Sequence, residues 1–191
     1  ILPTGQVPNS NDPYIYVDPW TDRIVKFDMH ALAQIYVEYS DDGGESWSPP
    51  FMAYGYYSPQ DHQSIASTLD VNGVGTYDTI YVYCINTGTS IAGPQCSRSL
   101  DGGHTWDLQL PGSPLTTQCS GLHGHVVGSI DGWVYRGNPS CEGPAVYASD
   151  DGGYSWSEHT ITLDIGMQQG WHSHEVATAT DAAGNVYGMW I

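Results

Sequence analysis

A chain of 191 residues can bury one sizeable hydrophobic core and is too short to require two domains. Hydrophobic residues make up 40% and aromatics 12%, with 14 Tyr and 7 Trp, which excludes a disordered chain despite 23 Gly and 12 Pro. Four Lys+Arg against 21 Asp+Glu give a net charge of −17, which excludes a nucleic-acid partner and an anionic membrane surface; no stretch approaches the roughly 20 apolar residues of a membrane span.

The acidic balance suits solubility in salty or extracellular surroundings, or the binding of divalent cations. The chain starts at Ile1 without a signal-peptide pattern and stops in the apolar run Met189-Trp190-Ile191. These ends set the expectation of a mature or trimmed piece of something longer.

In chain order, residues 13–17 and 23–28 read as a first pair of strands. Residues 33–39 form a β-rich run that leads into the octapeptide 40–47. A second pair covers 63–69 and 79–84. It is followed by a run at 93–98 and a second octapeptide at 99–106. A third pair, 124–130 and 133–136, is joined by the turn Asp131-Gly132 and leads through 144–148 to a third octapeptide at 149–156. A last pair, 174–180 and 185–190, is joined by a turn from Asp181 to Gly184. Helix is expected to be near absent, since no window sustains a 3.6-residue period.

The three octapeptides share the pattern S-x-D-x-G-x-S/T-W, with starts 59 and then 50 residues apart. Asp42, Asp101 and Asp151 can accept backbone N–H groups inside a turn, and Gly44, Gly103 and Gly153 can supply positive φ. The hydroxyl before each Trp can close a second local bond. Trp47, Trp106 and Trp156 are expected to be buried and equivalent. Strand, turn, strand, loop, strand, octapeptide, strand in about 50 residues is the signature of a propeller blade.

These octapeptides resemble the Asp-box, or bacterial neuraminidase repeat, of sialidase-like β-propellers. The stretches 61–63, 96–106 and 121–125 are similar to secreted bacterial proteins of the exo-α-sialidase-like kind. The resemblance implies an all-β propeller of six or seven blades, of which this chain holds about three and a half. The expected limits within the single region 1–191 are 11–57, 61–115 and 121–168, with a half blade at 172–191. It also implies glycan chemistry, and any enzyme here would be a sialidase-like glycoside hydrolase. Such enzymes use an arginine clamp, a Tyr nucleophile assisted by Glu, and an Asp acid/base. The chain has three arginines. Arg23 lies at a turn and Arg98 just before an octapeptide, neither in the arginine motif of the first blade; the third is Arg136.

Residues entering the innermost strand of each blade converge on one end of the axis. Alignment of the four units places Asp12, Asp61, His62, His123, His125, His172, His174 and Glu175 there, opposite the octapeptides. Candidate acid/base residues are Asp61, His125 and Glu175, and candidate ligand-binding residues are Asp12, His62, His123 and His172. His125, His174 and Asp61 are candidate ligands for Zn²⁺, while Ca²⁺ would draw on Asp and backbone carbonyls. Without a metal, such a group could transfer protons near neutral pH. The alternative is that each His caps its strand.

Cys84, Cys96, Cys119 and Cys141 lack the C-x-x-C spacing of zinc and redox motifs. Cys84 closes one strand-like run and Cys96 enters the next, so Cys84–Cys96 and Cys119–Cys141 are the expected disulfides of an extracellular protein. Two further connectivities, and free thiols in a cytosolic protein, stay open. Three functions follow: a glycan-active hydrolase, a binding propeller for glycan or protein, and a structural module that associates with itself or another chain through an open blade edge.

Overall fold

The computed structural model describes residues 11–30, 34–54, 60–87, 96–107, 123–140, 143–161 and 176–190. Among them there is no helix, and thirteen strands form four antiparallel sheets. The first sheet runs β1 (Asn11–Val17), β2 (Ile24–His30), β3 (Gln34–Ser40), β4 (Phe51–Tyr54) in spatial order. The second runs β5 (Gln60–Leu69), β6 (Thr79–Thr87), β7 (Cys96–Ser99), and a further bridge joins Arg98 to Asp107. The third runs β8 (Val126–Gly128), β9 (Val134–Ser140), β10 (Gly143–Ser149), β11 (Ser157–Thr160). The fourth pairs β12 (Ala177–Thr180) with β13 (Val186–Met189). The first strands of successive sheets pack side by side, β1 on β5, β5 on β8 and β8 on β12, which is a propeller-like arrangement. The limits expected at 57, 115, 121, 168 and 172 lie outside the described residues.

The strands alternate as a half-buried sheet demands. Along β2, Val25, Phe27 and Met29 are buried, while Ile24, Lys26 and Asp28 are only half-buried. With Ile35, Val37, Ile65, Tyr83 and Trp106 they form a core between the first two sheets. Ala66, Ile80, Val82, Val126 and Val134 form a second core between the second and third, with Trp156 against it.

Polar groups buried between the first two sheets are well satisfied. Asp18, fully buried, accepts the hydroxyls of Thr21, Ser67, Thr79 and Tyr81 at 2.7–3.0 Å and the Trp20 amide at 3.1 Å. Since Ser67 donates to Asp18, the Tyr16 hydroxyl donates to Ser67 Oγ (2.8 Å) and accepts the Ser67 amide (3.0 Å). A buried carboxylate with this many donors ties two sheets together without the cost of an unpaired charge.

The octapeptides form the turns that the pattern predicts. Oδ1 of Asp42, Asp101 and Asp151 accepts the amide four residues on at 2.9 Å, and the hydroxyls of Ser46, Thr105 and Ser155 bond Oδ2. Gly44, Gly103 and Gly153 have φ of +91°, +97° and +83°. The leading serine holds the turn from the other side. Ser40, Ser99 and Ser149 each donate to Oδ1 of the Asp and accept the second glycine's amide at 2.8 Å.

The tryptophans are not equivalent, which corrects the expectation. Trp106 is buried at 9% exposure, but Trp47 and Trp156 are only half-buried. The reason is the neighbouring sheet. Trp106 packs into the core shared with the first sheet and meets Tyr83 edge-on, with ring centroids 6.5 Å apart. Trp156 packs against the second core. Trp47 belongs to the first sheet, and the Lys26 ammonium lies 4.9 Å from its ring centroid.

Cys84 and Cys96 are joined, as expected, with Cys96 opening β7 but Cys84 not at the end of its strand. β6 continues to Thr87, and the two residues sit directly opposite each other as the last pair of the β6–β7 ladder. Cys119 and Cys141 lie outside the described residues.

Candidate functional site

Strand register separates two ends of the molecule. The octapeptides follow Ser40, Ser99 and Ser149, which pair with Ile24, Tyr81 and Val134. The opposite end carries the start of β5 and the segment before β8, and there three histidines meet.

His62 sits in an irregularity of β5, between Asp61 and Ser64, with φ of +55°. A non-glycine residue in the left-handed region carries a strain of roughly 1–2 kcal/mol, and such strain is retained where a side chain has to be aimed. Its Nδ1 lies 2.9 Å from the His123 carbonyl. A carbonyl only accepts, so Nδ1–H is the donor and Nε2 is the acceptor nitrogen of the neutral ring. The His62 and His125 rings lie 5.2 Å apart, tilted by 52°. His125 meets Tyr14 edge-on at 5.7 Å, and Tyr14 stacks on Phe27 at 5.2 Å. The pair is thus backed by an aromatic stack that runs into the core. His62, His125 and Tyr14 are each half-buried.

His123 is fully buried. Burial, then the Arg136 charge and His62, push its pKa well below the ordinary 6.5, so it stays neutral and supports the site without donating charge. Gly124 separates the two histidines because a side chain there would collide with the Val176 carbonyl. Buried Arg136 holds this segment from below. Its Nε donates to the Gly124 carbonyl at 3.1 Å and its Nη2 to the Ile85 carbonyl at 3.0 Å.

Of the residues expected here, His62, His123 and His125 come together. Asp12 and Asp61 lie on β1 and β5, but their side chains are outside the described part, as are His172, His174 and Glu175 altogether. Among the described residues, no group of three His, Cys, Asp or Glu stands close enough to hold a metal ion. The arrangement as described is an imidazole pair on an aromatic base, able to exchange hydrogen bonds with a small polar ligand. Sequence reasoning missed Tyr14 and the anchoring role of Arg136. The available signal was an arginine at the end of the strand-like run Trp133-Val-Tyr-Arg136.

The chain's cations are all engaged. Arg23 binds both oxygens of Asp41 (2.7 and 2.8 Å) and the Gly102 carbonyl (2.6 Å). Its guanidinium lies 3.9 Å from the centroid of the Tyr39 ring and 4.6 Å from that of Tyr77. Lys26 pairs with buried Glu38 at 2.7 Å. Arg98 pairs with Asp107 (3.1 Å) and donates to the Asp151 carbonyl (2.8 Å).

A BNR/Asp-box repeat model matches residues 38–49, the end of β3 and the first octapeptide. No curated protein matches the chain. Among solved structures, a Hadza microbial sialidase is 18% identical with a TM-score of 0.47, over 77% of this chain and 32% of that one. A protein of unknown function from Dyadobacter fermentans DSM 18053 is 16% identical with a TM-score of 0.55, over 93% of this chain and 55% of that one. The chain therefore spans about a third and about half of the lengths of these two structures. The repeat model covers the first octapeptide, the second and third octapeptides form the same hydrogen-bonded turn, and the second likeness bears on the fold alone.

Proposed function

We propose that the chain is part of an extracellular Asp-box propeller whose histidine end binds a neutral glycan. The observation that carries this reading is the convergence of His62, His125 and Tyr14 at the end opposite the Asp boxes, held by buried His123 and Arg136. Imidazole nitrogens trade hydrogen bonds with hydroxyls, and a half-buried aromatic ledge offers an apolar face to a sugar ring. An acidic sugar is disfavoured. All four cationic side chains are engaged in other contacts, and a carboxylate ligand would approach a chain of net charge −17. The Cys84–Cys96 disulfide supports an oxidising compartment.

The test is a glycan array that pairs neutral oligosaccharides with their sialylated forms, run on the chain and on His125→Ala. Binding of neutral forms, lost in the variant with the thermal midpoint within about 2 °C, is the expected result. Preference for the sialylated forms would overturn the ligand class. Release of free sugar by the chain, abolished in Asp61→Ala or Glu175→Gln, would replace binding by glycoside hydrolysis.

A further inference from the structure

The loops that join the first two strands of each sheet, at the Asp-box end, are not alike. Residues 18–23, 129–133 and 181–185 make the connection in five or six residues, but 70–78 takes nine. The shared fold does not need the extra residues, and insertions in single copies of a repeat commonly mark a binding face. The longer loop is firmly built. Asp70 accepts the amides of Val74 at 3.0 Å and Gly75 at 2.7 Å, and the Thr76 amide donates to the Leu100 carbonyl at 2.7 Å. It nevertheless holds two valines outward, Val71 and Val74, each 56% exposed.

Val74 stands between two cavities. One, of about 250 Å³, lies between the loop and the third Asp box, and its lining includes Val71, Ile80, Asp150 and Tyr154. The other, of about 240 Å³, lies between the loop and the second Asp box, and its lining includes Leu100, Thr105 and Asp107. The second and third sheets each have a neighbouring sheet on both sides, so the walls of this cleft are internal to the array. Five carboxylates line the two cavities, Asp70, Asp101, Asp107, Asp150 and Asp151, against one cation, Arg98. Arg98 is already committed. It pairs with Asp107, donates to the Asp151 carbonyl and lies 5.0 Å from the centroid of the Tyr154 ring, with its side chain only 16% exposed. Asp70, Asp101 and Asp151 are bound into their own turns, whereas Asp150 and Asp107 are exposed, one at each cavity.

We propose that this cleft docks a basic segment of a partner protein, with one Lys or Arg side chain in each cavity. The alkyl stems lie along Val71 and Val74, and the charged heads reach Asp150 and Asp107. The occupant follows from charge and shape together. A chain of net charge −17 with an exposed carboxylate on either side of an apolar ridge attracts cations, and the ridge favours cations carried on alkyl stems over a bare ion. The cleft lies at the end opposite the histidines and does not rest on the glycan reading.

The probe is a set of fluorescein-labelled Gly/Ser peptides that carry two arginines one to four residues apart, with matched peptides that carry two glutamates instead. They are titrated into the full chain and followed by fluorescence anisotropy. Saturable binding of at least one arginine spacing, and of no glutamate peptide, is expected. It should weaken at least tenfold in Asp150→Asn and in Val74→Ser, with thermal midpoints matching that of the unaltered chain. Glu45→Gln removes the same charge from the exposed tip of the first Asp box and should change the affinity less than twofold. No saturable binding at millimolar concentration overturns the proposal. So do equal losses in Asp150→Asn and Glu45→Gln, which would show attraction to the net charge alone, and unchanged binding in Val74→Ser. Exclusion of the peptide by millimolar Ca²⁺, abolished in Asp70→Asn, would assign the cleft to a metal ion and overturn the proposal as well.

Discussion

Asp101 accepts the Thr105 amide and hydroxyl and the Ser99 hydroxyl within one eight-residue turn. Asp101→Ala removes an ionised acceptor from three donors and should cost about 2–3 kcal/mol in urea denaturation. The same bonds set the acid limit of the fold. In Asp42 the Ser46 hydroxyl, then the Ser46 amide and the Ser40 hydroxyl, lower the pKa from 3.8 to about 2. In Asp101 burial pushes upward, but the Thr105 and Ser99 bonds outweigh it and the net shift is downward. The folded state thus holds these carboxylates ionised more strongly than the unfolded chain does. Their contribution is complete above about pH 4 and fades as the pH falls through the lowered values. His123 acts in a higher window. Its folded pKa is also depressed, but for a histidine this means that the unfolded chain takes the proton first. Stability should therefore decline as pH falls below about 6.5, and His123→Gln should flatten the slope of urea midpoint against pH between 6.5 and 5. An unchanged slope in the variant would show that His123 does not carry this dependence.

Each Asp box is a unit that finishes its own hydrogen bonds but needs a neighbouring sheet for its tryptophan. Trp106→Ala should cost about 3–5 kcal/mol, as large aromatic truncations in cores do, and Trp47→Ala less than half as much, because the Trp47 ring is only half-buried. Equal losses would contradict the unequal burial. The turns were legible in the octapeptide because every donor and acceptor lies within eight residues. The inequality of the three tryptophans was not, because it depends on which sheet each ring meets. The disulfide was legible as a bridge across the hairpin, but the length of β6 was not, since nothing in residues 80–84 marks its continuation to Thr87. Reduction of Cys84–Cys96 opens a loop of sequence separation 12 and should lower stability by about 2–4 kcal/mol, read as a shift of the thermal midpoint in dithiothreitol. Arg23 joins elements more widely separated in sequence, clasping the second Asp-box turn from the first sheet. Arg23→Lys keeps the charge but loses the fork to Asp41 and the reach to Gly102. It should destabilise by about 1–3 kcal/mol, read as a shift of the urea midpoint.

At the scale of the whole molecule, circular dichroism should show less than about 10% helix, against the third common in globular chains. The repeat determined this much alone. Four units of alternating strands, three self-contained turns and an aromatic-rich composition leave sheet-on-sheet packing as the means of burying the core. The repeat also pointed to one end of the axis for the histidines, because equivalent positions of equivalent units must lie at equivalent places. Only the tertiary structure decided what those histidines are. His62 is aimed by a left-handed residue in an irregular strand, His123 is buried and kept neutral beside Arg136, and His125 rests on Tyr14 from another sheet. It also decided the fate of the arginines. In sequence they are three cations available to any ligand, and in the fold Arg23 and Arg98 close Asp-box turns while Arg136 braces the histidine segment. Local hydrogen bonds are written in adjacent residues and can be read there. Burial depends on residues far off in sequence, such as Gly102 for Arg23, 79 positions on, and charge pairs such as Arg23–Asp41, 18 apart, form only when the strands between them pair.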